Sequence, residues 1–548
     1  MARAHGVNRS PLCRRTWQVG GLSLAVTAAI ALALAQQRAG IRSPFDVPIF
    51  RHLILFQDYY AIPVFVGILA VAFLAPARAL GAAFAAWCGR HVWPLAIVTA
   101  ALLAAATHAV FHLHALSLDE HTVLFQSEVF AAGRLTGQFP PDLIDWLVPA
   151  FFQERFLRPS YATGEVASVY WPGFSLLLTP FTAIGAPWLL NPLIGAATVL
   201  VMHRLALELF GDRLWAGHAA LLTLASPAVT LNAASYYAMP AHLLANAVFM
   251  LLLLRATPLR CLAAGAVGSL ALVLHNPVPH LLFALPWIAW LAFQPDRWRL
   301  IGALAAGYLP LSMALGWGWA LFLDGLAPTA VGTGGLIARR LSGIFAWTSS
   351  SGMAAHLFDL GKLWVWAVPG LLVAAVLGAW QLRGERGPWL VLACSALLTY
   401  FGYFLVSFDQ GHGWGFRYFH SAWLALPLFA TAALRQSASL AGYLAASAAL
   451  SLAALTTFQA LQVERFVGRH LSQVPVATRG KPRVVIIDPT GGYYNWDLVQ
   501  NDPFLRAGVI MLLSQGAQRD SAMMTARFPH YEMLSSDRRG TVWGTTPK

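Results

Sequence analysis

Apolar runs of about twenty residues, each enough to cross a bilayer as a helix, recur along residues 17–461, broken by short polar stretches. Their Leu/Ala/Val/Phe content is continuous rather than alternating, which predicts helices with self-satisfied backbones and not barrel strands. The pattern predicts thirteen transmembrane helices, at 17–36, 59–77, 92–113, 188–209, 215–231, 240–254, 260–274, 280–293, 300–321, 363–381, 388–407, 418–434 and 438–460. The segment WPGFSLLLTPFTAIG, 171–185, is too short to cross and reads as a re-entrant or interfacial helix. The fold class expected is an all-α polytopic membrane protein with a small C-terminal α/β domain outside the membrane. That domain is expected over 462–548, where polar residues return and KPRVVIIDPTGG reads as a buried strand ending in a turn. Its glycine pair lacks the spacing of a dinucleotide loop. Residues 1–91 form an N-terminal segment with two additional spans, and 92–461 the main transmembrane region.

Arginines set the sidedness. Arg3, Arg9, Arg14 and Arg15 precede the first span, and Arg78 with Arg90, Arg213, Arg255 with Arg260, Arg297 with Arg299, Arg383 with Arg386, and Arg435 mark the later loops of the same, cytoplasmic side. The opposite, outer face then carries the loop 114–170, NAASYYAMPAH, HNPVPH, a Gly/Ser-rich stretch near 324–362 read as a lid, and DQGHGWGFRYFH. Within the first loop, DLIDWLVPAFFQERFLRP reads as an amphipathic helix in the headgroup layer.

Composition sharpens this picture. The chain is 58% hydrophobic and 11% charged, against about 25% charged for soluble domains. Its formal net charge of +13 comes from basic residues scattered between apolar runs, so it reads as topology and lipid-headgroup contact, not as a nucleic-acid surface. The four cysteines show no metal-ligand spacing. Span interiors carry almost no ionisable groups, whereas a transporter places them along its path.

Chemistry gathers instead on the outer face. Asp119 and Glu120 stand side by side in LSLDEHTVLFQSEVFAAGRLTG, in a chain with only 23 acidic residues. A desolvated carboxylate at the membrane boundary suits a general base for a hydroxyl, although the same pair would also serve as a helix cap. Arg417, with His412 near, matches a phosphate or anchors to headgroups, and Trp414, Phe416 and Tyr418 would flank a sugar or lipid head. Glu165, Tyr237, His242, His275 and His280 are accessory candidates, the last two reading more readily as structural histidines than as ligands and Tyr237 by default as part of an aromatic belt.

LDEHTVLFQSEVFAAGRLTG, SVYWPGFSLLLTPFTAIGAPWLLNPLIGAATVLVMHRLALELFG, SPAVTLNAASYYAMPAH and GHGWGFRYFHSAWLALPLF, in this order over most of 92–435, resemble the GT-C superfamily of membrane glycosyltransferases, the protein O-mannosyltransferase and aminoarabinose-transferase type. The resemblance implies inverting transfer of a sugar from a polyprenyl-phosphate donor to a hydroxyl of a glycan, lipid or protein on the periplasmic face of a bacterial inner membrane. It implies Asp119 as base with Glu120 its neighbour, and Arg417 as a donor-phosphate contact, beside which His412 and Tyr418 are read as donor-phosphate or lipid-binding residues from their place in the same loop. Trp171-Pro172-Gly173 departs from the family's usual Lys-Pro or Pro-Pro. No obligatory cofactor is implied; some relatives use a divalent metal. A lipid or polysaccharide transporter and a non-catalytic assembly subunit are the competing classes, and an oligosaccharide ligase with a diphosphate donor is a related one.

Overall fold

The computed structural model describes residues 13–40, 48–327, 349–405, 412–477 and 480–546. Among the described residues, seven helices are long and apolar enough to cross a membrane: Arg14–Arg38, Ile49–Val71, Val92–Ala109, Pro187–Phe210, Arg297–Leu326, Pro388–Leu405 and Ala438–Leu471. Shorter apolar helices, among them Met239–Leu253, Pro258–Val273, Val278–Leu291, Leu371–Gln381 and Ala425–Leu434, lie where further spans are expected. The chain is a multi-pass membrane protein of helical build with a small sheet region near its C-terminus.

Several boundaries differ from expectation, each for a local reason. The second span runs over Ile49–Val71 rather than 59–77. Pro76, in the first turn, then opens a separate helix, Ala75–Arg90, where a loop is expected. Arg78 donates to Ser439 (3.2 Å) at the head of the Ala438 helix. At the other end, Gly89 lies so close to the Arg213 carbonyl that a Cβ would sit 2.1 Å from it. Both ends therefore meet arginine-marked helix termini, and the helix runs along that face. The expected span 215–231 breaks at Ser226-Pro227 into Arg213–Leu224 and Pro227–Asn232. The expected span 363–381 breaks after Val365, because Pro369 lacks an amide donor and Gly370 is left-handed at φ +91°. Of the expected lid, 328–348 lie outside the described residues, and Ser350–Val365 is helical. The 171–185 segment holds an eleven-residue helix, Gly173–Ala183, about 16 Å long and too short to cross.

Three sheets stand beside the helices. β1 (Gly137–Gln138), β2 (Leu157–Pro159) and β3 (Glu165–Ser168) form an antiparallel sheet in the order β1-β3-β2. A hairpin joins β4 (His412–Gly413) to β5 (Gly415–Phe416). β6 (Lys481–Ile487), β7 (Ile510–Leu513), β8 (Glu532–Asp537) and β9 (Gly540–Thr545) form a sheet in the order β7-β6-β9-β8, with β6 and β7 parallel. Alternation along β6 sends Val484 and Ile486 to one face and Val485 and Ile487 to the other. The first pair shares a core with Phe125, Val129, Phe139, Leu143 and Leu147 of the 114–170 loop.

The C-terminal sheet is therefore not a free-standing appendage. For the same reason DLIDWLVPAFFQERFLRP is not an amphipathic helix at the headgroups. Its helical parts are the single turns Pro141–Leu143 and Ile144–Leu147, whose Leu143 and Leu147 pack on the sheet, and it ends in β2.

Candidate active site

The site is organised around the first turn of the helix Leu118–Ala131. Ser117 is its N-cap, and Glu120 stands three residues on, the spacing of a capping box. Glu120 is fully buried and accepts from the backbone amides of Leu116 (3.1 Å) and Tyr236 (2.9 Å). Burial pushes its pKa up to about 7, against the pull of those amides. Glu120 thus ties the start of the helix to the 232–238 turn. Neighbouring helical residues point about 100° apart, so Asp119 and Glu120 face different surroundings.

Asp119 faces the lip, with 21% of its side chain exposed. Its Oδ2 meets Nη2 of Arg417 at 3.2 Å, and its Oδ1 accepts a hydrogen bond from the Tyr170 hydroxyl. Burial, with the Asp119 charge, holds the Tyr170 pKa well above its ordinary value, so Tyr170 stays a donor. The Arg417 guanidinium lies 4.8 Å from the centre of the Tyr237 ring, and the Tyr237 hydroxyl is 3.0 Å from Ser117 Oγ. Burial works against the Arg417 charge, but Asp119 and the surrounding tyrosines outweigh it, and its pKa lies above the usual arginine value. Arg417 Nε has no partner.

The β4–β5 hairpin delivers Arg417. Gly415, at φ +90°, lets the hairpin close on Ala228, which a Cβ there would meet at 2.9 Å, and Asn232 Nδ2 holds the Trp414 carbonyl at 2.5 Å. Tyr418 follows and stacks on Tyr403 with centroids 4.0 Å apart. His412 pairs with Phe416 across the hairpin; its side chain lies outside the described residues.

His275 borders the site, its ring 5.5 Å from Tyr170, with Nδ1 3.0 Å from Nε2 of His242. Burial pulls the His275 pKa down to about 4, which leaves it neutral. His280 is not brought in. It is buried in its own helix between Asn246 (2.6 Å) and the Tyr308 hydroxyl (2.6 Å), a satisfied core histidine. Glu165 is also absent from the cluster: on β3 it accepts from Thr136 (3.3 Å) and Thr163 (3.0 Å).

Three residues join the site that the sequence reading does not single out: Tyr170, Tyr494 and Asp497. Asp497 Oδ1 accepts the Leu118 amide at 2.6 Å, and Tyr494 lies within electrostatic reach of Arg417 and Asp119. The one available signal is scarcity, since Asp497 is among few acids and sits in the aromatic stretch YYNWD.

Among the described residues, no group of three or more His, Cys, Asp or Glu side chains is arranged to hold a metal ion. Asp119 is engaged by Arg417 and Tyr170, and Glu120 by backbone amides.

The architecture matches solved structures. ArnT from Cupriavidus metallidurans bound to undecaprenyl phosphate superimposes with a TM-score of 0.53 at 13% identity, over 82% of this chain and 97% of that one. The chain shares the fold of ArnT. The apo form of the same protein gives 0.50 at 12% identity over the same shares. An Archaeoglobus fulgidus oligosaccharyltransferase in complex with Zn and sulfate is a weaker likeness, with a TM-score of 0.38 at 11% identity over 76% of this chain and 62% of that one. No family model and no curated protein matches the sequence. At these identities the likeness to ArnT is one of fold.

Proposed function

We propose that this chain is an inverting glycosyltransferase that moves a sugar from a polyprenyl-phosphate donor to an acceptor hydroxyl. The observation that carries the proposal is the double engagement of Asp119, with a guanidinium on one oxygen and a phenol on the other, at the lip of an ArnT-like fold. In one of the ArnT structures that fold holds undecaprenyl phosphate.

On this reading the donor phosphate enters beside Arg417, whose Nε and planar fork suit phosphate oxygens. The acceptor hydroxyl lies against Asp119, held in orientation by Tyr170. The acceptor oxygen attacks the anomeric carbon from the face opposite the phosphate, and its proton passes to Asp119. The bond from the anomeric carbon to the phosphate oxygen breaks, and its electron pair leaves on the phosphate beside Arg417. One inversion results, and no acid need protonate so stable an anion. Electrostatic stabilisation by a fixed cation is the main contribution.

The arginine distribution supports a cytoplasmic N-terminus and a site on the periplasmic side of an inner membrane. The acceptor is a hydroxyl-bearing component of the cell envelope, and no step is routed through a metal.

The test is release of free polyprenyl phosphate from a synthetic polyprenyl-phosphate sugar by the purified protein with envelope extract as acceptor source. Release that Asp119→Asn abolishes supports the proposal. Equal release by the variant refutes the assigned base, and no release by either chain refutes the donor class.

A further inference from the structure

The helix that carries Asp119 begins without the cap its sequence promises. Ser117 is a good N-cap residue, yet its side chain makes no capping hydrogen bond; its hydroxyl is engaged with Tyr237. The amides of Glu120 and His121 reach the Ser117 carbonyl at 3.0 and 2.9 Å. The Leu118 amide, first in the helix, is taken by Asp497 from 379 residues away.

Asp497 is presented for this contact by a turn built around it. Tyr494, a non-glycine residue at φ +61°, reverses the chain into the single turn Asn495–Leu498. Such a left-handed residue is strained unless its surroundings fix it. Here the Asp497 amide closes on the Tyr494 carbonyl (2.9 Å), and Asn495 Nδ2 donates to the Asp488 carbonyl (3.2 Å) at the end of β6. Gln500 then donates to the Asp497 carbonyl (2.8 Å) and to the Ala115 carbonyl (2.5 Å). Two contacts thus bind the C-terminal segment to the chain on either side of Ser117, and Asp497 itself is 6% exposed.

We propose that Asp497 is a positioning residue for Asp119: by capping the helix from the C-terminal segment, it fixes where the Asp119 carboxylate stands relative to Arg417. This role rests on the transferase reading above. It follows from geometry, because Asp119 is the residue after Leu118, and a shift of the first turn moves its carboxylate directly. Helix N-termini lacking a cap fray, and small misplacements of a reacting group lower rates steeply.

The experiment compares the full-length protein with Asp497→Ala and Asp497→Asn in the same detergent. Two readouts are taken: hydrogen exchange of a peptide spanning 116–124, and kcat and KM for a synthetic polyprenyl-phosphate sugar. Asp497→Ala is expected to speed exchange in that peptide and lower kcat roughly 10- to 100-fold, with KM for the donor little changed because Arg417 is untouched. Asp497→Asn keeps an acceptor oxygen and is expected to recover most of both. If the alanine variant does not fold, Asp497→Leu, similar in size but without an acceptor oxygen, takes its place with the same expected and overturning results. Unchanged exchange in Asp497→Ala overturns the cap, and faster exchange with unchanged kcat overturns the positioning role. Loss of kcat in Asp497→Asn equal to that in Asp497→Ala, with wild-type exchange, also overturns it. Absence of turnover by the unmodified protein removes the transferase reading and this role with it, while the exchange data still show whether the contact forms.

Discussion

Asp119 and Arg417, 298 residues apart in sequence, meet as an ion pair of 3.2 Å between the site helix and the β4–β5 hairpin. Neither is wholly withdrawn from the surface: 21% of the Asp119 side chain and 14% of the Arg417 side chain remain exposed. A pair of this kind adds little to stability by itself. On the proposed function, its value lies in placing a base and an anion clamp side by side where a hydroxyl and a phosphate can both arrive.

Removing the base should therefore separate binding from chemistry. Asp119→Asn is expected to lower turnover by about 10²–10⁴-fold while leaving donor binding near normal, as checked by initial rates and by lipid retention.

Arg417 should behave in the opposite way. Arg417→Ala is expected to weaken donor binding strongly. Arg417→Lys should restore it only in part, because an ammonium is a point charge without the planar fork. Titration with a soluble short-chain analogue of the donor measures both.

Tyr170 orients Asp119 without carrying charge. Tyr170→Phe removes one hydrogen bond to a carboxylate, a loss of about 1.5–3 kcal/mol, and should lower kcat more than it raises donor KM. Steady-state kinetics at saturating acceptor would show the split.

Glu120 and Asp497 make a prediction about pH. Burial raises Glu120 to about 7 and Asp497 to about 8, whereas an unfolded carboxyl titrates near 4. The folded chain thus binds more protons than the unfolded one between these values. Stability from these groups is full below about pH 4 and is lost as pH rises through 7 to 8. Melting temperature should fall from pH 6 to pH 9, and the combined Glu120→Gln and Asp497→Asn variant should flatten that slope. A slope unchanged in the variant would contradict the assignment.

Much of this arrangement was legible in the chain because its signals are local. Asp119 stands out as an acid in an acid-poor sequence at the end of an apolar run, and Arg417 as a cation among aromatics between two spans. Hydropathy locates most spans for the same reason. What it misses is the helix Ala75–Arg90, whose arginines at positions 78 and 90 read as loop charges, yet whose Gly81 and Gly89 pack it closely against Ala446 and Arg213. The role of Glu120 was hidden by adjacency, since helical geometry sends consecutive side chains to different surroundings. Asp497, Tyr170 and Tyr494 were not legible because their meaning lies in contacts across tens to hundreds of residues, and nothing near Asp497 announces that it will cap a helix beginning at Leu118.

The most direct test of the account is native mass spectrometry of the gently purified protein supplied with polyprenyl-phosphate sugars. The expected result is an adduct of one polyprenyl phosphate carrying one sugar, retained by Asp119→Asn and lost or weakened in Arg417→Ala. Failure of any such lipid to bind the unmodified protein would contradict it.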